Sequence, residues 1–213
     1  RSPRSMPLIS KPAEGTKPPT PDEEAVLRAL TQGSENERWA AARAAAELPS
    51  SVAALGAAVA RENSPGVGEA MFTALARIAT PQCAEVILPL LRSDDAEVRT
   101  GGSDALAAMR EAAWPYLATL VHDTDAHVRI LACELLRNLP GERAVPLLCE
   151  VLESDSDANV CAAAVDALTE MGGAAALPTL TRCAERFRAT PFLGFAIAVA
   201  IDRLRSEPPK PRG

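Results

Sequence analysis

Leu91-Arg92-Ser93-Asp94-Asp95-Ala96-Glu97-Val98-Arg99, Val121-His122-Asp123-Thr124-Asp125-Ala126-His127-Val128-Arg129 and Leu152-Glu153-Ser154-Asp155-Ser156-Asp157-Ala158-Asn159-Val160 are three versions of one phrase. Each closes an apolar helical run, passes through a turn rich in Asp and Ser, and opens a second helix. Recurrence at about 30 residues marks a stacked helical array, in which each unit buries its apolar face only against its neighbours. Such arrays present surface; they are not built around a reaction chamber.

Working outward, the pattern extends to six helix pairs. First helices are predicted over 22–32, 50–61, 81–92, 112–121, 142–152 and 174–187. The second helices are anchored at Arg38, Val67, Val98, Val128, Val160 and Phe192, which stand 29 to 32 residues apart. Seven and eight residues beyond the anchors come Ala74/Leu75, Ala105/Leu106, Leu135/Leu136 and Ala167/Leu168, the spacing of one helical face. Pro115, Pro146 and Pro178 are expected in the first turns of their helices, where a missing N–H costs no hydrogen bond. Asp95, Asp125 and Asp157 are expected to cap second helices, with Arg99 and Arg129 reaching neighbouring carboxylates or carbonyls.

These residues resemble HEAT repeats, most of all the short repeats of the phycobilin lyase type: apolar-Pro-x-Leu, then Asp-x-x-Val-Arg, then Ala-x-x-Ala-Leu. The likeness is strongest over 81–171, in Asp95-Ala96-Glu97-Val98-Arg99 and Asp125-Ala126-His127-Val128-Arg129; in the next copy Cys161 stands in place of the arginine. The resemblance implies a right-handed α-solenoid of about six HEAT-like pairs over 22–205. The repeat type by itself says nothing of function; an array that presents surface is expected to be a non-catalytic protein-binding scaffold or adaptor, the alternative being a lyase-like or accessory factor acting on a cofactor-bearing protein. One HEAT-repeat enzyme class uses several His-Glu pairs, and no His-Glu dipeptide occurs here. The repeat type is common in bacteria, and the high Ala and Arg usage fits that source.

Composition agrees with an all-α array. Apolar residues are 47% of the 213 and aromatics only 3%. The net charge is −6, yet Arg1, Arg4, Lys11, Lys17, Lys210 and Arg212 lie in the segments 1–21 and 206–213 against Glu14 and Glu207. The body is therefore more acidic than the whole, which disfavours nucleic acid as a ligand. Both end segments are Pro-rich and expected to be disordered, with 1–5 a cloning remnant. Five cysteines without C-x-x-C spacing read as reduced thiols in the cytoplasm. No apolar run is long enough to span a membrane. No nucleotide-binding or nucleophile-elbow motif is present, and Gly66-Val67-Gly68 reads as a structural glycine pair in a repeat turn. His122 and His127, with Asp123 and Asp125, read as polar turn residues. No catalytic residue, metal or cofactor is assigned.

What remains is the outward face of the second helices. The sixth position after the anchor gives Asp104, Glu134 and Asp166, an acidic column over three repeats. Phe72, Ile130 and Val165 are expected beside it at neighbouring outward positions, and Arg137 joins the set. An acidic stripe edged by apolar residues suits a basic or amphipathic segment of another protein. The last helix has no polar side, and Leu193, Ile197 and Ile201 are the residues expected to mediate self-association or docking.

Overall fold

The computed structural model describes residues 22–171 and 174–206. The two segments expected to be disordered, 1–21 and 206–213, lie outside this range, apart from Ser206, which closes the last helix. Twelve α-helices are present, and no β-strand occurs among the described residues. They are α1 (Glu23–Gln32), α2 (Glu35–Ala45), α3 (Val52–Val59), α4 (Pro65–Ile78), α5 (Pro81–Ile87), α6 (Ala96–Ala108), α7 (Arg110–Leu120), α8 (Ala126–Leu136), α9 (Gly141–Ser154), α10 (Ala158–Met171), α11 (Leu177–Arg186) and α12 (Pro191–Ser206). Short 3-10 stretches at Pro49–Ser51, Leu88–Arg92 and Ala174–Ala176 extend the first helices of their pairs.

Even-numbered helices pack on one another in chain order, α2 on α4 through to α10 on α12, and form one layer. Odd-numbered helices form the other, with α1 on α3, α3 on α5, α5 on α7 and α9 on α11. The core runs between the layers as a continuous seam, from Leu30 and Leu55 through Leu75, Ile87, Leu106 and Leu136 to Leu168 and Leu180. This is an α-solenoid of six helix pairs.

Capping places the second helices. Asp95 accepts from Glu97 N at 2.8 Å, Asp125 from His127 N at 2.9 Å and Asp157 from Asn159 N at 2.7 Å. At α2, Ser34 N–H donates to Glu37 at 2.7 Å, and Ser34 holds the Glu37 carboxyl below its usual pKa. Counted from the N-caps Ser64, Asp95, Asp125 and Asp157, the apolar anchors Val67, Val98, Val128 and Val160 stand three residues on, whereas Arg38 stands four beyond the N-cap Ser34. Thr190 starts α12, its carbonyl accepting from Gly194 N at 3.0 Å. The anchor of α12 is therefore Leu193, fully buried, and not Phe192, which is exposed.

Two prolines also sit elsewhere than their spacing suggests. Pro115 and Pro146 lie inside α7 and α9, each of which begins about a turn before its proline. Packing of the helix outweighs the one hydrogen bond each proline removes. Pro178 is near the start of α11 as expected.

An arginine ladder ties the turns together. The acidic group two residues before a second helix's N-cap receives an arginine from the preceding pair. Arg38 donates to Glu62 through Nε at 2.7 Å and Nη2 at 2.8 Å. Arg129 donates to Asp155 through Nε at 2.6 Å and Nη2 at 3.2 Å. Asp123 receives Arg92. Arg99 and Arg129 also close their own turns, donating to Ser93 O at 2.6 Å and Asp123 O at 2.8 Å. Where Cys161 replaces the arginine, Arg186 from α11 donates to Asp155 O at 2.6 Å and fills the gap in space.

Candidate functional site

The second-helix layer leaves one long side uncovered by the first helices. The residues two, five and nine after each N-cap lie one helical turn apart and share this side. In α6 they are Glu97, Thr100 and Asp104, in α8 His127, Ile130 and Glu134, in α10 Asn159, Ala162 and Asp166. Asp104, Glu134 and Asp166 are all exposed. None of the three carboxylates has a hydrogen-bond or ion partner among the described residues. Glu134 and Asp166 border one cleft between α8 and α10, together with Arg137. Arg137 is bound to Glu170 of α10 at 3.0 Å, so its charge is already used to join the two helices.

Ile130 is half-buried beside the column. Phe72 and Val165, expected on the exposed face, are buried instead, at 7% and 1%. Both stand eight residues after the N-cap, and that position turns towards the second helix of the next pair. Helical phase within one repeat cannot register the neighbour that covers it.

The last helix carries the same lesson in reverse. Leu193 and Ile197, expected as a docking face, are fully buried, and Ile201 is half-buried; they are the repeat's own core positions. The exposed large apolar residues of α12 are Phe192, Phe195 and Val199, at 52%, 73% and 48%. They occupy the second, fifth and ninth positions after Thr190 and so extend the side that carries the acidic column. At the other end of the array Trp39 holds the fifth position of α2, 43% exposed, with the Arg43 guanidinium 4.7 Å above its ring.

A groove of about 740 Å³ lies on this side between α4 and α6. Its lining includes Phe72, Val59, Ala105 and Gly101, and its rim carries Glu69, Glu97 and Asp104. Apart from Phe72 and Asp104, the sequence reading missed it. The signal was present in Gly68 and Gly101, glycines in the interior of helices where alanine is preferred. A Cβ on Gly101 would stand 2.5 Å from the Phe72 ring, so Gly101 is the seat on which that ring rests. Over Gly66 and Gly68 there is nothing within 4 Å. These two are not required by packing, contrary to their reading as structural glycines.

The histidines serve separate contacts. His122 Nε2 is 3.3 Å from Glu150, and His127 is exposed while its N–H is capped by Asp125. No group of three His, Cys, Asp or Glu side chains among the described residues is placed to hold a metal. The five cysteines are free thiols, four of them buried. Burial pushes the Cys133 thiol up to about 12, so it stays protonated. No described helix is long and apolar enough to cross a membrane.

Residues 114–189, from Trp114 of α7 to just beyond α11, match the family of HEAT repeats. This stretch of the chain carries HEAT repeats. The pairs before Trp114 continue the same two-layer architecture. A HEAT-like repeat protein from the archaeon Thermococcus onnurineus NA1 shares this fold, with a TM-score of 0.50 at 15% identity over 85% of this chain and 86% of that one. An engineered protein aligns over 86% of this chain and 96% of its own, at 22% identity and a TM-score of 0.43. The complex of CpcE and CpcF of phycocyanin lyase from Nostoc sp. PCC7120 aligns over 93% of this chain and 100% of that one, at 17% identity and a TM-score of 0.38. Among curated proteins none matches significantly.

Proposed function

We propose that this protein is a non-catalytic scaffold or adaptor that binds a partner protein across the uncovered side of its second helices. One observation carries the reading. Asp104, Glu134 and Asp166 repeat at one position of three successive helices, exposed and without partners, whereas the neighbouring turns spend their carboxylates on caps and arginines. Surface charge left unpaired in register over three repeats costs self-repulsion and gives the fold nothing, but it attracts and orients a basic segment. Ile130 and the Phe192–Phe195–Val199 patch supply apolar contact on the same side, and aromatic anchors dominate protein interfaces. Free thiols fit work in the reducing cytoplasm.

The test is capture from the native organism with wild type and with Asp104→Lys, Glu134→Lys and Asp166→Lys combined, followed by cross-link mapping. A partner cross-linked to the second-helix side of the wild type and lost from the folded variant supports the reading. A partner held equally by both, or cross-linked to the odd-numbered helices, overturns it.

A further inference from the structure

The groove between α4 and α6 has properties the acidic column alone does not explain. At about 740 Å³ it lies in the range of true ligand pockets. Its floor is apolar, with Phe72 held in place by Gly101. It is also open because of Gly68, one of its lining residues. Glycine in a helix interior is less stable than alanine by about 1 kcal/mol, and it is normally retained for a positive φ or a close contact. Gly68 has neither: its backbone is not left-handed and the space above it is empty. What its missing side chain preserves is the volume of the groove.

The rim supplies the chemistry. Glu69, Glu97 and Asp104 are exposed, and none of their carboxylates has a hydrogen-bond or ion partner among the described residues. The other charges on the lining are occupied. Arg77 is bound to Glu47 at 2.7 Å, Glu62 to Arg38, and Asp95 caps α6. The groove is thus an apolar slot ringed by three unanswered carboxylates, and Asp104 makes it continuous with the column on α8 and α10.

We infer that the α4–α6 groove is the anchor pocket for a basic amphipathic segment of a partner protein, taking a bulky apolar side chain onto Phe72 while flanking Lys or Arg side chains meet Glu69, Glu97 and Asp104. The inference rests on the second-helix side being the binding face, and names where on that face the partner is gripped.

The probe is a fluorescein-labelled helical peptide of leucine and lysine, Ac-LKKLLKLLKKLLKL-amide, titrated with the full chain and read by anisotropy. A control peptide carries glutamate at each lysine. Expected are saturable one-to-one binding of the lysine peptide and at least about tenfold weaker binding of the control. Gly68→Leu, which fills the groove, weakens the lysine peptide about tenfold or more; so does Glu69→Lys with Glu97→Lys, which leaves the helix interior untouched should Gly68→Leu not fold. Glu185→Lys on α11 leaves affinity unchanged.

Retained affinity in both groove variants overturns the inference. If Glu134→Lys with Asp166→Lys then abolishes binding, the second-helix side still binds and only the anchor is misplaced. If those also have no effect, the proposed function falls with it. Tighter peptide binding by the full chain carrying Lys11→Glu and Lys17→Glu would make this chain's own N-terminal segment the occupant and overturn the assignment to a partner. Groove-dependent self-association in sedimentation would do the same in favour of a second copy.

Discussion

Removing the charge of Glu62 tests how successive repeats are held. Its carboxylate accepts four hydrogen bonds: from Arg38 at 2.7 and 2.8 Å, from Ser64 N at 2.9 Å and from Asn63 N at 3.0 Å. The side chain is only 4% exposed. The Arg38 hydrogen bond is the main cause that brings its pKa from 4.5 down to about 2, with the Ser64 and Asn63 N–H groups assisting and burial opposing. In the unfolded chain the group titrates at its ordinary value. A depressed folded pKa therefore stabilises fully above about pH 4.5, and the contribution is lost as pH falls towards 2. At about 1.4 kcal/mol per pH decade the ceiling is about 3 kcal/mol. Arg38 is 26% exposed, and solvent screening brings the expectation to about 1–2 kcal/mol. Glu62→Gln keeps the shape and removes the charge. Urea unfolding of both proteins, followed by circular dichroism from pH 7 to pH 3, should show the variant less stable by that amount at pH 7 and the gap narrowing below pH 4.5. A gap that is constant across this range, or below about 0.5 kcal/mol at pH 7, would refute the reasoning.

Gly68→Ala should raise stability by up to about 1 kcal/mol, since the space is open, while Gly101→Ala should lower it by about 1–2 kcal/mol by forcing the Phe72 ring off its seat; paired thermal melts separate the two. Arg129→Ala leaves the buried Asp155 carboxylate without its bidentate partner and should cost about 2–4 kcal/mol in urea unfolding. Ile197→Asp should cost more than about 3 kcal/mol or prevent folding, because it buries a charge in the seam. Phe195→Asp, at a position 73% exposed, should leave the melting temperature within a few degrees and instead weaken partner capture.

The period, the helix pairs and the capping aspartates were all readable from the chain. Asp95, Asp125 and Asp157 act locally, on N–H groups two or three residues away, so sequence spacing suffices to find them. The acidic column was readable for the same reason: Asp104, Glu134 and Asp166 stand at one phase of helices whose inner face is defined by their own apolar residues. Tertiary structure decided everything that depends on a neighbouring repeat. Phe72 and Val165 look outward in their own helix and are buried by the next one. Leu193 and Ile197 look sticky and are core, because the N-cap at Thr190 sets the phase of α12 one residue later than Phe192 suggests. Arg186 takes over from the arginine that Cys161 replaces, across 25 residues of chain. The α4–α6 groove exists only where two helices are brought side by side, and no single helix contains it. Hydrogen bonds within a turn follow the order of residues; burial and cavities follow the packing of surfaces, which that order does not state.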